Sequence, residues 1–373
     1  MTIYDELGIR RVINASATLT RLGGSLMPPP VVEAMNEAAA SFIDVPELQR
    51  RVGERVAKLT HNEAAFISSG AAAGIAVSVA ACIAGTDARL IDAFPYLDGV
   101  ERTEVIVWRS QRNGYNYAAR QTGARLVDIG PEDGELEEAI SPRTACILWF
   151  AGEHYARDAM PIEEVVAIAH ARGAPVIVDA AAQIPPIANL WHFTRDIGVD
   201  IAIFSGGKGL RGPQSSGLVL GRSDLIEACR ANSSPNPTLG RPMKVGKEEL
   251  AGLLAAVEWS LAQDEPAIIE DYERSVQYWI EGLSNVPGIN AERGFPSEAG
   301  QPHPRTIVRF GPRAGLTRDQ VVAALWDQDP RVAVGAIGDN GIALNPQTLQ
   351  PGEDVQVLEA LARVINGARS SST

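Results

Sequence analysis

"DIAIFSGGKGLRGPQSSGLVLG", residues 200–221, reads as a short apolar strand, a glycine turn carrying one lysine, a second glycine-rich loop and another apolar strand. Lys208 directly follows the strand and stands among Gly206, Gly207 and Gly209. Glycines let a backbone turn sharply and approach a ligand closely. Three readings compete for this lysine: a solvated loop residue, the phosphate-binding lysine of a P-loop, or an amine nucleophile that bonds to a carbonyl. The P-loop pattern G-x-x-x-x-G-K-[ST] fails twice. Ala202 takes the place of its first glycine, and Gly209 the place of its Ser/Thr. A lysine held in a pocket near other cations loses its proton more readily and attacks carbonyls, so the nucleophile remains in competition with the surface residue.

Short apolar runs of the same kind fill the middle of the chain. Strands are expected at AAFIS (64–68), EVIVW (104–108), RLVDIG (125–130), ACILWF (145–150), PVIVDA (175–180), IAIFS (201–205) and GLVLG (217–221). Several are apolar throughout, as strands covered on both faces are. Amphipathic segments such as IEEVVAIAHARG (162–173), with its glycine stop, alternate with them. The alternation predicts an α/β fold, a mostly parallel sheet sandwiched by helices. Beyond about residue 240 the pattern changes. Two long helices (247–265 and 267–286) precede RTIVRF (305–310), a helix (317–328), two further strands (331–337 and 341–346) and a last helix (353–366). This predicts an N-terminal segment (1–45), a large domain (46–240) and a smaller C-terminal α+β domain (241–373).

The chain has 373 residues, 45% of them hydrophobic, and a formal charge of −13. That balance disfavours nucleic acid, whose binding needs a basic face to neutralise phosphates. Three cysteines at these spacings make neither a disulfide framework nor a zinc site, which fits a reducing, cytoplasmic setting. No metal site is expected. The most membrane-like stretch, GAAAGIAVSVAACIAG (70–85), is too short to span a bilayer and rich in small residues, so a buried helix close against a sheet is expected there.

Two further features gather around Lys208. PVIVDAAAQIPP places Asp179 at the carboxyl end of an apolar strand, either as a helix cap for the next segment or as a charge held in a dry site. Open α/β sheets bind ligands at those strand ends. SSGAAAG (68–74) joins a strand to the small-residue helix, whose amino end, with its unpaired N–H groups and dipole, suits a phosphate; close packing explains the glycines equally well. Taken together, a phosphate cradle, a carboxylate and an amine match pyridoxal 5'-phosphate. The carboxylate keeps the pyridine nitrogen protonated, the amine holds the aldehyde, and the helix end holds the phosphate.

At this point the sequence resembles the fold-type I pyridoxal-phosphate enzymes, in the group with bacterial selenocysteine synthase and D-glucosaminate-6-phosphate ammonia-lyase. GIRRVINASATLTRLGGS, AAFISSGAAAGIAVSVAACIAGTD, PVIVDAAAQIPP, FSGGKGLRGPQSSGLVLGR and RPMKVGKEELAGLLAAVE carry the likeness. The resemblance implies that Lys208 holds the cofactor's aldehyde and Asp179 pairs with its ring nitrogen. Ala181 would lie against a ring face and Gln183 reach the ring hydroxyl. Ser69, Gly70, Ala71 and Ser205 would contact the phosphate. It also implies a homodimer or larger homo-oligomer. Selenocysteine synthase carries an added N-terminal domain that engages a transfer RNA. This chain begins close to RRVINASA, so no such domain is expected, and a small amino acid is the expected substrate.

The expected activity is α,β-elimination, of ammonia-lyase or dehydratase type, on a small β-substituted or sugar-derived amino acid. Racemisation and transamination are the alternatives, and a non-catalytic cofactor-binding homologue is the alternative of another class. A substrate carboxylate calls for an arginine able to give two parallel hydrogen bonds; Arg21 and Arg305 are candidates, each against the plain reading of a surface arginine. His154 follows ACILWF and is a candidate second acid/base group at the mouth of the site, as is its neighbour Tyr155.

Overall fold

The computed structural model describes residues 2–370, apart from the side chains of His154 and of the last three. The chain divides into two compact units, Ser25–Gln263 and a second made of the residues up to Gly24 together with those from Asp264 onward. Strands are numbered β1–β12 along the chain.

The first unit holds β2 (Ala64–Ser68), β3 (Glu104–Trp108), β4 (Arg125–Ile129), β5 (Thr144–Phe150), β6 (Val176–Asp179), β7 (Ile201–Ser205) and β8 (Gly217–Gly221). They form one sheet in the order β2-β8-β7-β6-β5-β3-β4. β8 alone runs against the direction of the other six. The carboxyl ends of the other six therefore share one edge, together with the start of β8. Alternate residues of each strand feed two cores. Ile67, Ile106, Ile147, Val178 and Phe204 pack on one face, and Phe66, Val107, Leu148, Ile177 and Ile203 on the other. Two buried faces explain the continuous apolar runs.

The small-residue stretch is the helix Ala71–Ala84, almost wholly buried in the second core. A Cβ on Gly74 would stand 2.9 Å from Ile203 Cγ2 and 3.1 Å from Val219 Cγ2. The helix lies directly on β7 and β8, a separation that only small side chains allow. Among the described residues no helix is long and apolar enough to cross a membrane, and no three His, Cys, Asp or Glu side chains cluster as a metal site.

The boundary between units falls later than the sequence pattern suggests, at 263/264 rather than 240/241. The helix Lys247–Leu261 packs against the helices Pro29–Ala39 and Val45–Leu59 and so belongs to the first unit. A Cβ on its Gly252 would come within 2.7 Å of both Met35 Cγ and Pro213 Cγ. The segment 1–45 is likewise shared out: its first 24 residues go to the second unit, where β1 (Val12–Ala15) pairs in parallel with β11 (Arg331–Ile337).

The second unit is a five-stranded sheet, β1-β11-β12-β10-β9, completed by β9 (Ile289–Gly294), β10 (Arg305–Phe310) and β12 (Gly341–Leu344). The helices Glu265–Leu283, Arg318–Trp326 and Glu353–Ser370 accompany it. Its core gathers Ile13, Trp279, Val308, Phe310, Leu325 and Leu361. The α+β character expected of the last third holds for this unit.

Candidate active site

Three turns at the common sheet edge hold the residues that the sequence singles out. β2 ends at Ser68, β6 at Asp179 and β7 at Ser205, and all three leave the sheet in the same direction. Ser68 and Ser205 are both register partners of Gly217, on either side of β8.

At the first turn Ser68 points inward and its hydroxyl donates to Gly70 O at 2.9 Å. Gly70 stands at φ +136° just before the helix Ala71–Ala84, whose amino end has no side-chain cap. That conformation suits glycine alone. Gly217 is pressed against this turn: a Cβ there would stand 2.6 Å from Ser68 Oγ and 2.8 Å from Ala71 N. Ser69 and Ala71 are half-buried around the opening N–H groups. An uncapped amino end of a long helix is an anion site.

Asp179, 8% exposed, ends a strand buried along its whole length. Its Oδ1 accepts from Ala181 N–H at 2.9 Å. Oδ2 accepts no hydrogen bond among the described residues. Burial raises its pKa above the usual carboxylate range, opposed by the Ala181 hydrogen bond and by the charge of Lys208. The turn continues through Gln183, whose N–H donates to Ala180 O and whose carbonyl accepts from Asn189 Nδ2.

The third turn holds Lys208. Its amine makes no hydrogen bond or ion pair among the described residues. Burial pushes its pKa below that of an ordinary lysine, and the Asp179 charge partly restores it. The two groups lie within each other's field, an acid pushed up and an amine pushed down. Such mutual perturbation by burial is common at functional sites. Glycine is required next to the lysine by contact, since a Cβ on Gly209 would collide with the Ile184 carbonyl and lie 2.8 Å from Ile184 Cβ. Gly209→Ala should therefore destabilise the protein by about 1–3 kcal/mol through overpacking and weaken cofactor retention. A denaturation curve and a cofactor titration check this; an unchanged midpoint with full retention contradicts the packing.

The residues present fit pyridoxal phosphate. A half-buried amine without a hydrogen-bond partner among the described residues, a buried carboxylate with one open oxygen and an uncapped helix end share one sheet edge, with Ala181 and Ser205 between them. Ser205 N–H donates to Ala181 O at 3.3 Å, tying the second turn to the third.

Sequence reasoning passed over Gln111. It is fully buried beyond β3, its Nε2 donates to Phe150 O at 3.2 Å and its Oε1 accepts from Phe150 N–H at 2.9 Å. It thus acts as a surrogate strand residue for β5, beside Asp179, the register partner of Phe150. No local pattern announces such a contact. Tyr155 faces the same edge. Burial raises its pKa first, then the neighbouring Tyr115 and the Asp179 charge. His154 falls in the short helix Glu153–Ala156, but its side chain lies outside the described residues.

Arg21 and Arg305 belong to the other unit. Arg21 is exposed in the turn Thr20–Leu22. Arg305, the first residue of β10, lies 3.4 Å from Glu298 through Nη1, and its buried Nε has no hydrogen-bond partner among the described residues. A cleft of about 340 Å³ opens at the opposite sheet edge, lined among others by His61, Glu63, His170, Arg195, Asp200 and Arg222. Its arginines are engaged by acids: Arg222 by Asp200 and Asp224, Arg195 by Asp196. No lysine lines it.

The family description for class-V aminotransferases matches residues 105–239. D-glucosaminate-6-phosphate ammonia lyase of Salmonella typhimurium is 32% identical over 380 residues, covering 98% of both chains. A 5'-C-glycyluridine monooxygenase-decarboxylase of a Streptomyces species is 31% identical, covering 97% of this chain and 92% of its own. L-seryl-tRNA(Sec) selenium transferase of Moorella thermoacetica is 26% identical over 98% of this chain and 84% of its own. Among solved structures, a D-glucosaminate-6-phosphate ammonia-lyase superposes with a TM-score of 0.86 at 31% identity, covering 99% of each chain. The ureidoglycine-glyoxylate aminotransferase of Bacillus subtilis shares the fold alone, at TM-score 0.62 and 15% identity.

Proposed function

This chain belongs to the fold-type I pyridoxal-phosphate enzymes, and on that premise we propose that it is an ammonia-lyase acting on a sugar-derived amino acid. The observation that carries the reading is the likeness to D-glucosaminate-6-phosphate ammonia lyase along nearly the whole chain, in sequence and in structure alike.

Pyridoxal phosphate, when bound, supplies the electron sink that acidifies a substrate Cα–H bond. Lys208 holds the aldehyde and, with substrate in place, is the base for the Cα proton, its pKa lowered toward working pH. Asp179 would face the ring nitrogen and keep it protonated. The amino end of Ala71–Ala84, with Ser69, Gly70, Ala71 and Ser205, would take the phosphate. Ala181 would bear on the ring face and Gln183 on the ring hydroxyl. His154 or Tyr155 is the candidate for proton delivery to a departing β-hydroxyl. The substrate loses its Cα proton and the β-hydroxyl as water. The enamine product then takes up water and yields a 2-keto-3-deoxy acid and ammonia.

The acidic chain takes a small amino acid rather than nucleic acid or membrane, acts in the cytoplasm, and works as a homodimer or larger homo-oligomer. The fully exposed Phe42, together with exposed Leu26, Val32 and Ile43, supports the assembly.

The likeness to a monooxygenase-decarboxylase favours a second reading, in which the bond broken at Cα leads to CO₂. Incubation with 2-amino sugar acids, assayed for ammonia, keto acid, CO₂ and enantiomer, separates the two. Equal ammonia and keto acid with no CO₂ is expected. CO₂ without ammonia, or racemised substrate alone, overturns the lyase.

A further inference from the structure

Lys208 is flanked by glycines, which have the widest backbone choice of any residue, yet its direction must be fixed for it to serve one substrate carbon. The restraint comes from 183 positions earlier in the chain. Ser25 N–H donates to Gly207 O at 2.9 Å, and Ser25 Oγ donates to Lys208 O at 2.6 Å. These two carbonyls belong to the two peptide planes on either side of the Lys208 Cα. Peptide units are rigid, so the orientation of the two planes sets φ and ψ of the residue between them. One serine therefore restrains both backbone dihedrals of the lysine, and with them the direction of its Cα–Cβ bond.

The same segment is held by further contacts. Arg211 stands at φ +55°, one of two non-glycine residues beyond φ zero among the described residues. Its N–H donates to Lys208 O at 3.0 Å, and its Nε to Leu26 O at 3.0 Å. Its guanidinium lies over the Trp259 ring at 5.3 Å. Ser260 Oγ donates to Leu210 O at 3.2 Å. Residues 25–26 and 207–211 thus clasp each other in both directions.

We propose that Ser25 is a positioning residue for Lys208, setting the amine's direction through the lysine's own backbone. The proposal rests on the reading of Lys208 as the cofactor-holding lysine. The Ser25 hydroxyl touches neither cofactor nor substrate in this role, so it acts through geometry and is not a catalytic residue.

The test compares wild type, Ser25→Ala and Ser25→Thr, each loaded with pyridoxal phosphate. Borohydride reduction and peptide mass first locate the cofactor. If wild type carries none on Lys208, the cofactor reading falls, and this proposal with it. If Lys208 is labelled in all three, two measurements decide on Ser25 alone. In Ser25→Ala, which keeps the backbone bond to Gly207 and loses the one to Lys208, kcat is expected to fall about tenfold, the scale of one lost hydrogen bond. KM should change little. The pH midpoint of the lysine-bound cofactor's visible absorbance should move away from the wild-type value. Ser25→Thr, which keeps the hydroxyl, should restore both. The proposal is overturned if the alanine variant matches wild type in kcat and midpoint, or if the threonine variant is as impaired as alanine.

Discussion

Lys208→Ala is expected to leave a folded protein that no longer holds pyridoxal phosphate covalently and has lost its turnover. The site is local to one turn, and the lysine's amine makes no hydrogen bond on which the fold depends, so the melting curve of the cofactor-free protein should stay near wild type. Removing a general base alone costs about 10²–10⁴ in rate, and loss of the covalent hold adds to this. The visible absorbance expected for the lysine-bound cofactor should be absent, and borohydride should trap nothing. Retained turnover in the variant would remove Lys208 from the centre of the site. Retained colour that borohydride fixes to another lysine would do the same.

Asp179→Asn should have the next largest effect, and it separates two roles of the carboxylate. The amide is the same shape and still accepts from Ala181 N–H, so the turn survives. The charge proposed to face the ring nitrogen is lost, and turnover should fall on the order of 10²–10³, as when one preorganised electrostatic group is removed. The cofactor-free variant carries a second signature. Burial lowers the pKa of Lys208 and the Asp179 charge opposes that fall. Without the charge, burial acts alone, and the lysine's midpoint moves further down. Reductive labelling of the Lys208 peptide against pH measures this. The labelling curve of Asp179→Asn should lie at lower pH than that of wild type, and a curve at higher pH would contradict the coupling.

Much of this edge is legible in the sequence. β2, β3, β7 and β8 begin and end where the sequence places them, since each is an apolar run closed by glycine, serine or charge and buried on both faces. The residues at their ends are placed correctly as a consequence. The strands that escaped notice lack that pattern. β1 has four residues and is a strand because it pairs with Arg331–Val334, more than 300 positions away. β9 reads INAERG and is half exposed at a sheet edge, so no run of apolar residues marks it. The boundary near 240 was misplaced because a long amphipathic helix looks the same whichever body it covers; Gly252 against Met35 and Pro213 decides the matter only in three dimensions. Gln111 and Ser25 were invisible for a related reason. Each acts on a backbone group distant in sequence, and polar residues in loops carry no periodicity.

The closeness of Ala71–Ala84 to the sheet also bears on how this protein can change. Gly74, Ile203 and Val219 occupy a single shared volume, one turn below the helix end offered to an anion. A larger residue at 74 has nowhere to go except by lifting the helix, which would carry those N–H groups away from the cradle. Any lineage or selection experiment that enlarges position 74 must therefore shrink 203 or 219 at the same time, and the depth of the anion pocket is inherited as a three-residue unit. Libraries built to reshape this helix end should vary those positions jointly, because any enlargement at 74 alone has to displace Ile203 or Val219.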